Sequence, residues 1–386
     1  MNFVLAAGGT GGHMIPAHAL AAELRSRGHG VLLITDERGA RFPGLFEGMP
    51  VHILPAGRLG GGPIGWLKAA RSVVKGRGEA KLLYREHTPD AVVGFGGYPA
   101  LPSLLAASAL KIPTVLHEQN AVMGRVNRLL AGEAEAIGTA YEEIDRLKPR
   151  YKRKAVLVGN PVREEIARLG ELPFPDFDEF APLKILITGG SQGASVLSQV
   201  VPAGLGLLEP SLRRRLLVVQ QCRPDDIEKV RKQYAELGIP AELTTYIEDM
   251  AEKLGDCHLM IGRAGASTIA ELTAAGRPAI LVPFAAATDD HQTANAREMV
   301  KAGGARAIRQ DNFTPEVLAR QIEALAIDPV ALNNAAARSL SVGRPHAARD
   351  LADLVERVGN GVAPVVVGPA LTPRFAAAAP DGAVPA

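Results

Sequence analysis

The chain of 386 residues has little cysteine, almost no net charge and no long apolar run. Its two cysteines, Cys222 and Cys257, match no metal-ligand spacing, so we expect reduced structural thiols and a cytoplasmic protein. The formal net charge of +2 gives no overall signal for nucleic acid, and we expect none as a partner. Without about 20 consecutive apolar residues, or a basic start followed by an apolar stretch, we expect neither a membrane span nor a secretion signal.

What the chain does have is a hydrophobic fraction of 47%, enough for two domain cores. Apolar runs typical of buried strands alternate with helical patterns in both halves, which predicts an α/β fold with doubly wound parallel sheets. The pattern breaks after residue 159 and again in the Pro- and Asp-rich stretch 173–182. We therefore predict an N-terminal domain at 1–160, a C-terminal domain at 161–343, a last helix at 344–358 that packs back on the N-terminal domain, and a disordered tail at 359–386.

Two glycine-rich loops occupy matching places in the two halves, GGTGGH at 8–13 and GGSQGA at 189–194. Each follows an apolar run and precedes a helical pattern. In that order, backbone N–H groups and the positive end of a helix can bind an anion. One such loop is weak evidence. Two at equivalent positions predict paired phosphate-binding halves on either side of a cleft.

The first loop fits neither common nucleotide-binding motif. Met14 stands where the dinucleotide fingerprint needs its third glycine, and the Lys-Ser/Thr of a P-loop is missing. His13 is expected just before a helix that begins near Pro16, where the helix dipole favours the neutral imidazole that can accept a proton. His13 is thus either a general base or a capping or packing histidine.

Two more strand ends in the first half carry candidate site residues. GFGGYP at 94–99 follows one predicted strand, and HEQN at 117–120 ends another. Because strand carboxyl ends line the ligand crevice of open α/β sheets, three such ends predict one composite site. Alternatively, the glycines only permit tight turns, and Glu118 and Asn120 cap the next helix.

In the second half, GRAGASTIAE at 262–271 also follows a strand and opens a helix. Glu271 could accept hydrogen bonds from ribose hydroxyls, or it could close the helix start in a capping box with Thr268. DDHQTAN at 289–295 follows the next strand. Its amide and imidazole groups could bind sugar hydroxyls, or the segment could be a solvated helix start.

These motifs, with GNPVR at 159–163 and the late Gln-x-x-Asn, occur in an order over residues 1–358 that closely resembles the MurG family of glycosyltransferases. The resemblance implies two facing Rossmann-type domains, the GT-B architecture. It also implies transfer of N-acetylglucosamine from UDP-N-acetylglucosamine to lipid I, giving lipid II for peptidoglycan, with no metal and no cofactor. The one Asp-x-Asp, at 176–178, lies in the predicted linker and indicates a solvated turn.

By matching motif, the resemblance implies that the C-terminal half binds the donor. Arg163 would assist at the diphosphate, Glu271 would bind the ribose and Gln292 the N-acetylglucosamine. The chain departs from the family pattern at His291, where another glutamine is expected, and at Ser267, where a bulkier apolar residue is common. The residues implied for the donor are Thr10, Gly11, Gly12, Asn120, Arg163, Ser191, Gln192, Gly193, Ile247, Ala266, Ser267, Thr268, Glu271 and Gln292.

The resemblance likewise implies an acceptor site in the N-terminal half, formed by Gly8, Gly9, Gly96, Gly97 and Tyr98. His13 or Glu118 would take the proton of the 4-hydroxyl of N-acetylmuramic acid as that oxygen attacks the anomeric carbon. UDP would leave with inversion, its charge stabilised by a helix N-terminus, Ser191 and Arg163.

Lipid I is membrane-anchored, so the resemblance also implies peripheral binding to anionic lipid at the cytoplasmic face of the cell membrane. The stretch 58–86 holds seven basic and only two acidic residues, together with the only tryptophan of the chain. A basic, apolar helix of this kind fits interfacial binding, and an ordinary amphipathic helix packed on the sheet is the alternative. The residues predicted to contact the membrane are Ile64, Trp66, Leu67, Lys68, Arg71 and Lys75.

Three other functions fit parts of the sequence. A dinucleotide-dependent oxidoreductase would use Asp36, after the second strand, to bind ribose, but the broken fingerprint and the second glycine loop count against it. A UDP-sugar epimerase of the same architecture is the nearest enzymatic alternative. A non-catalytic protein that binds only nucleotide or membrane would not need His13 and Asn120 facing Glu271 across a cleft.

Overall fold

The computed structural model describes residues 1–41, 46–55, 62–178, 180–190, 193–326 and 328–363, and for residues 63, 64, 66, 288 and 326 it describes the backbone alone. Within these ranges the strands form two sheets, one in each half of the chain. Every strand pairing is parallel. The predicted α/β fold with two doubly wound parallel sheets is confirmed.

The first sheet and its helices come from the N-terminal half. The strands are β1 (Asn2–Ala6), β2 (Gly30–Thr35), β3 (Val51–Ile53), β4 (Ala91–Gly94), β5 (Thr114–Glu118), β6 (Ala136–Thr139) and β7 (Ala155–Leu157). The helices are α1 (Gly11–Ser26), α2 (Gly62–His87), α3 (Gly97–Leu110), α4 (Arg125–Leu130) and α5 (Glu164–Ala167). The strand order is β3-β2-β1-β4-β5-β6-β7, so β1, β4 and β5 lie side by side and bring their carboxyl ends together.

The second sheet repeats this plan with one strand fewer. Its strands are β8 (Leu183–Thr188), β9 (Leu216–Gln221), β10 (Ala241–Thr244), β11 (Leu259–Gly262), β12 (Ala279–Leu281) and β13 (Ala305–Ala307), in the order β10-β9-β8-β11-β12-β13. The helices are α6 (Ser195–Gly206), α7 (Pro210–Arg213), α8 (Ile227–Leu237), α9 (Met250–Asp256), α10 (Ala266–Ala274), α11 (His291–Ala302), α12 (Pro315–Ala326), α13 (Pro329–Ser341) and α14 (Ala347–Gly359).

Two helices begin earlier than their prolines suggest. Helix α1 begins at Gly11 and contains Pro16, and α3 begins at Gly97 and contains Pro102. Each proline is the sixth residue of its helix, so it removes one intrahelical hydrogen bond in the second turn, yet the helix still begins at the glycine five residues earlier. The expectation that α1 begins near Pro16 is therefore wrong, and His13 lies in the first turn of the helix rather than before it.

The last helix returns to the first domain. Leu351, Val355 and Val358 of α14 are buried in the same core as Phe3 of β1. Arg27, just after α1, pairs with Asp353 at 2.6 Å and with Glu356 at 2.9 Å. Helix α14 therefore packs on the N-terminal domain, although it follows the C-terminal domain in the sequence. Of the tail predicted at 359–386, residues 364–386 lie outside the described residues.

Candidate active site

The first glycine loop connects β1 to α1 and is held by a carboxylate. Asp36 Oδ1 accepts hydrogen bonds from the backbone N–H groups of Gly9 and Gly39, both at 3.0 Å. Its other oxygen, Oδ2, pairs with Arg38 at 3.0 Å. A Cβ atom on Gly8 would lie 2.6 Å from Pro99 Cβ, so the loop packs closely against the start of α3. Asp36 thus holds the loop in place. Because its carboxylate is already engaged by the protein, this argues against the oxidoreductase alternative, in which Asp36 would bind ribose.

His13 lies where this loop meets the second glycine turn of the domain. Gly97 has a φ of +72°, and a Cβ there would lie 3.4 Å from His13 Nε2. The pKa of His13 is lowered, chiefly because the ring is removed from water, while the side chain of Gln119 and the backbone of Phe95 oppose the shift. His291, from the other domain, adds a smaller lowering of this pKa. Neutral imidazole is therefore the favoured form at the cleft.

Other residues predicted to bind donor or acceptor lie around His13. Thr10 is the N-cap of α1, and Gly11 and Gly12 form the start of its first turn. Gly96 is the N-cap of α3, and Tyr98 lies partly buried in the first turn of that helix. The structure thus brings together the loops that follow β1 and β4.

Glu118, at the end of β5, is engaged by its own chain. The backbone N–H groups of Asn120 and Gly124 donate to it at 3.1 and 2.8 Å, and Asn127 Nδ2 donates at 2.9 Å. The Asn120 side-chain amide lies 3.5 Å from the same carboxylate. Burial raises the pKa of Glu118, and these donors oppose the rise. Asn127 is not predicted from the sequence as a site residue, and no motif there connects it with Glu118 nine residues earlier.

In the C-terminal domain, Glu271 lies opposite Arg163. The guanidinium is 3.8 Å from Glu271 Oε1 and 3.1 Å from Glu165 Oε1. Burial raises the pKa of Glu271 to about 7, Arg163 opposes the rise and Glu165 adds to it. Within the described ranges, Arg163 Nε is buried without a hydrogen-bond partner. This carboxyl group and this guanidinium are therefore poorly satisfied by the protein itself.

The segment before Glu271 forms the start of α10. Gly265 is the N-cap, and Ala266, Ser267 and Thr268 are the first three residues of the helix. Thr268 is therefore not an N-cap, and the capping-box alternative for Thr268 and Glu271 is wrong. Among the residues that the structure describes, Ser267 Oγ is buried without a partner.

The second glycine loop is held by neutral groups. Thr188 Oγ1 accepts from Gly190 N at 3.1 Å and donates to Gln221 Oε1 at 2.8 Å. Gly193 has a φ of +65°, and a Cβ there would lie 3.0 Å from Arg223 Cγ. Burial lowers the pKa of Arg263, and the nearby charge of Arg223 lowers it further, so positive charge is concentrated beside this loop. The predicted diphosphate contacts Ser191 and Gln192 lie outside the described residues.

Two further predicted donor residues lie after strands of the second sheet. Ile247 is buried in the segment after β10. Gln292, the second residue of α11, accepts a hydrogen bond from Phe284 N at 2.9 Å. The Asp-x-Asp segment lies away from these loops, and Asp178 Oδ1 accepts from the N–H groups of Phe180 and Ala181 at 2.7 and 2.6 Å, as in a solvated turn.

The N-terminal end of α11 and the turn before it join the two domains. Asp289 pairs with Arg128 at 3.1 Å and with Arg146 at 2.7 Å. Asn295 Oδ1 accepts from Ala121 N at 2.8 Å. The sequence placed Asn295 in the Gln-x-x-Asn motif but gave no sign that it joins the domains.

Helix α2 has a buried side and an exposed apolar side. Among its described side chains, Ala69, Gly76, Ala80 and Tyr84 are buried; the helix packs on α3, and Ala80 and Tyr84 share a hydrophobic core with residues of the sheet. Leu67 is 54% exposed, Val74 71% and Leu82 65%. Exposed basic residues lie beside them: Lys68, Arg71 and Lys75. The side chains of Ile64 and Trp66 lie outside the description. No helix in the described ranges is both long and apolar enough to cross a bilayer.

Two Rossmann-type domains with glycine loops and convergent polar side chains at their strand ends define a nucleotide-dependent enzyme of the GT-B architecture. Residues 3–139 match the glycosyltransferase family 28 N-terminal domain, and residues 184–355 match the corresponding C-terminal domain. The chain belongs to glycosyltransferase family 28 and, within it, to the MurG enzymes.

Individual relatives agree with this assignment. A Zymomonas mobilis protein named UDP-N-acetylglucosamine--N-acetylmuramyl-(pentapeptide) pyrophosphoryl-undecaprenol N-acetylglucosamine transferase is 62% identical over 94% of this chain and 93% of its own. The crystal structure of Acinetobacter baumannii MurG is 31% identical, with a TM-score of 0.74 over 92% of this chain and all of that one. A putative UDP-N-acetylglucosamine 2-epimerase from Listeria monocytogenes, 13% identical, shares the fold alone, with a TM-score of 0.68 over 93% of this chain and 97% of its own.

Proposed function

We propose that this glycosyltransferase moves N-acetylglucosamine from UDP-N-acetylglucosamine to the 4-hydroxyl of N-acetylmuramic acid in lipid I, with inversion at the anomeric carbon. The product is lipid II, the disaccharide precursor of peptidoglycan. The names of its relatives support the two substrates, and the geometry of the cleft supports the roles proposed for individual residues.

The observation that carries the proposal is the set of unsatisfied polar groups on the C-terminal side of the cleft. Buried polar groups are nearly always hydrogen-bonded, yet in the described chain Arg163 Nε and Ser267 Oγ have no partner. The pKa of Glu271 is raised to about 7, chiefly because the carboxyl group is removed from water, and no hydrogen-bond donor among the causes offsets this rise. A nucleoside diphosphate sugar would supply ribose hydroxyl donors for Glu271 and phosphate oxygens for Arg163.

In the donor complex, the second glycine loop would meet the diphosphate through Ser191, Gln192 and Gly193. Ile247 would offer backbone groups to uracil, and Gln292 would bind the N-acetylglucosamine. The remaining donor contacts would be Ala266, Ser267 and Thr268 at the start of α10, with Thr10, Gly11, Gly12 and Asn120 from the other domain.

Transfer itself requires a base on the acceptor side. His13 is held neutral by burial, and Gly97 leaves room beside Nε2. Glu118 is a weaker candidate because its carboxylate already accepts from Asn120, Gly124 and Asn127. We therefore assign the base to His13.

In the reaction, the 4-hydroxyl oxygen attacks the anomeric carbon while its proton passes to His13. The bond from that carbon to the β-phosphate oxygen breaks, and the electron pair leaves with UDP. Arg163 and the N–H groups of the second glycine loop stabilise the charge that develops on the leaving group. The acceptor pyrophosphate would lie near Gly8, Gly9, Gly96, Gly97 and Tyr98.

The acceptor is held in a membrane, and helix α2 supplies a surface for reaching it. We propose that the exposed apolar residues Leu67 and Val74, with the neighbouring Lys68, Arg71 and Lys75, dock on anionic lipid at the cytoplasmic face of the cell membrane. Ile64 and Trp66 belong to the same proposed surface.

The decisive experiment incubates the protein with radiolabelled UDP-N-acetylglucosamine and a lipid I analogue. We expect label in the acceptor and release of UDP. Conversion of the donor to another UDP-sugar without transfer would instead identify an epimerase. Donor binding with no turnover would identify a binding protein.

A further inference from the structure

Asn295 joins three segments from the two domains through one side chain. It is fully buried in α11. Its Oδ1 accepts from Ala121 N at 2.8 Å, and its Nδ2 donates to Asn120 Oδ1 at 3.1 Å and to Ala264 O at 3.2 Å. Ala264 opens the segment that leads into α10, and Asn120 follows β5 of the other domain.

These bonds determine the direction of two amides. Ala121 N–H can only donate, so it requires the oxygen of Asn295 and turns the Asn295 nitrogen toward Asn120. The Asn295 nitrogen then requires the oxygen of Asn120. The nitrogen of Asn120 is left on the side of Glu118, whose carboxylate lies 3.5 Å away. Asn120 therefore presents N–H groups, rather than a carbonyl oxygen, on its remaining side.

We propose that Asn295 is a positioning residue for transfer: it orients the Asn120 amide and holds it in register with the donor loop that begins at Ala264. The inference rests on the proposed function, in which Asn120 and the start of α10 contact substrate. Asn295 would act only through these neighbours.

A second interdomain contact on the same helix provides a matched control. Arg297, two residues further along α11, pairs with Asp145 at 3.1 Å, and both side chains are about half exposed. Exposed pairs of this kind contribute little to stability. Arg297→Ala removes a bond between the domains without touching Asn120 or Ala264, and it should leave transfer within about twofold of the parent.

The first test is a double-mutant cycle on transfer to a lipid I analogue. Asn295→Ala and Asn120→Ala should each lower kcat by about tenfold or more, and the double variant should be little worse than either single one, because Asn295 acts through Asn120. Multiplying effects in the double variant would overturn the proposal. An inactive parent enzyme would instead contradict the proposed function.

The second test uses Asn295→Asp, which keeps the size of the side chain and the acceptor for Ala121 N–H. As a carboxylate it cannot donate to Asn120, whereas a protonated Asp can. The ratio of variant to parent kcat should therefore rise as pH falls, while unfolding monitored at each pH shows that both remain folded. A purely structural role for Asn295 predicts a ratio that does not change with pH, and that result would overturn the proposal.

Discussion

Glu118 in one domain and Glu271 in the other are buried carboxyl groups at the cleft, and they differ in how far the protein satisfies them with hydrogen bonds. Glu118 is 2% exposed and accepts from two backbone N–H groups and from Asn127, at 2.8 to 3.1 Å. The side chain of Glu271 is 13% exposed, and its ion-pair partner Arg163 lies 3.8 Å away. Among the described residues, no hydrogen bond reaches the Glu271 carboxyl group.

The difference agrees with the proposed roles, a structural one for Glu118 and a ligand-binding one for Glu271. A buried acceptor that already has its donors holds the protein together, whereas one that lacks them can take donors from a ligand. The glycine loops differ in the same sense. Asp36 occupies the Gly9 N–H in the first loop, while Thr188, a neutral residue, holds the second loop beside Arg223 and Arg263. The C-terminal domain is thus better suited to bind the donor diphosphate.

The largest expected effect tests the assignment of the base to His13 rather than Glu118. His13→Ala should lower kcat by roughly 10²–10⁴-fold, the usual contribution of a general base. Affinity for UDP should stay close to that of the parent, because we propose that the nucleotide binds in the other domain. Steady-state kinetics with a lipid I analogue and isothermal titration with UDP measure the two effects. A variant with parental kcat and a parental pH profile would rule out His13.

Glu118→Gln tests the structural side of the comparison. One oxygen becomes an NH₂ group facing N–H donors, so the free energy of unfolding should fall by about 2–3 kcal/mol. Denaturant unfolding measures this change. A variant as stable as the parent but without activity would show that Glu118 is a catalytic group and that the comparison is wrong.

Glu271→Ala tests the binding side. Loss of hydrogen bonds to a charged acceptor should weaken donor binding by ~1.5–3 kcal/mol, or roughly 10- to 150-fold in Kd. The matched control is Glu165→Ala, which removes the exposed carboxylate paired with the same Arg163 at 3.1 Å and should leave Kd nearly unchanged. Unchanged donor affinity in a folded Glu271→Ala variant would show that Glu271 does not bind the donor.

The same carboxyl group predicts a pH dependence. Ribose hydroxyls donate to the ionised form, so donor affinity should rise as pH increases through about 7, the pKa of Glu271. The free energy of unfolding should change in the opposite direction and fall as pH increases. Because this pKa is raised above its ordinary value of 4.5, the stabilising contribution is complete below that value and is lost as pH rises through about 7. At pH 8 the free energy of unfolding of Glu271→Gln should therefore exceed that of the parent, by at most about 3 kcal/mol, as denaturant unfolding measures.

The sequence predicts the fold well because hydrophobic runs, glycine loops and the doubled pattern are local signals. Short strands such as Val51–Ile53 and Ala305–Ala307 are harder to predict, because three residues are too few to show a period. The sequence predicts the start of α1 too late, because Pro16 is a strong helix-start signal and the glycines that form the first turn are typical of loops.

The site is less predictable from sequence, since its chemistry depends on contacts between distant residues. Nothing local distinguishes Glu118 from Glu271. Their difference arises from Asn127 and the 120–124 turn on one side and from the poorly satisfied Arg163 on the other. The bonds of Asn295 to Asn120 and Ala121 span about half the chain, and such contacts leave no periodic trace.

The smallest expected effect extends the comparison from single groups to whole domains: changes on α2 should affect lipid binding and leave donor binding alone. Each Lys or Arg near an anionic surface contributes about 1 kcal/mol, screened by salt, so Lys68→Glu with Arg71→Glu should reduce co-sedimentation with anionic vesicles at low salt. Trp66→Ala or Val74→Ser should reduce it at any salt, because apolar burial is not screened.

The matched control for these variants is Lys229→Glu with Lys232→Glu on α8 of the C-terminal domain, which makes the same change in charge away from the proposed surface. We expect this control to sediment like the parent, apart from the loss of general attraction that both charge variants share. Activity on a water-soluble acceptor analogue and affinity for UDP should survive in every one of these variants, because the cleft is built from other strand ends. Equal sedimentation of the parent and the α2 variants would mean that Leu67, Val74 and their basic neighbours form an ordinary solvated helix face, and the division of labour between the domains would then rest on the cleft alone.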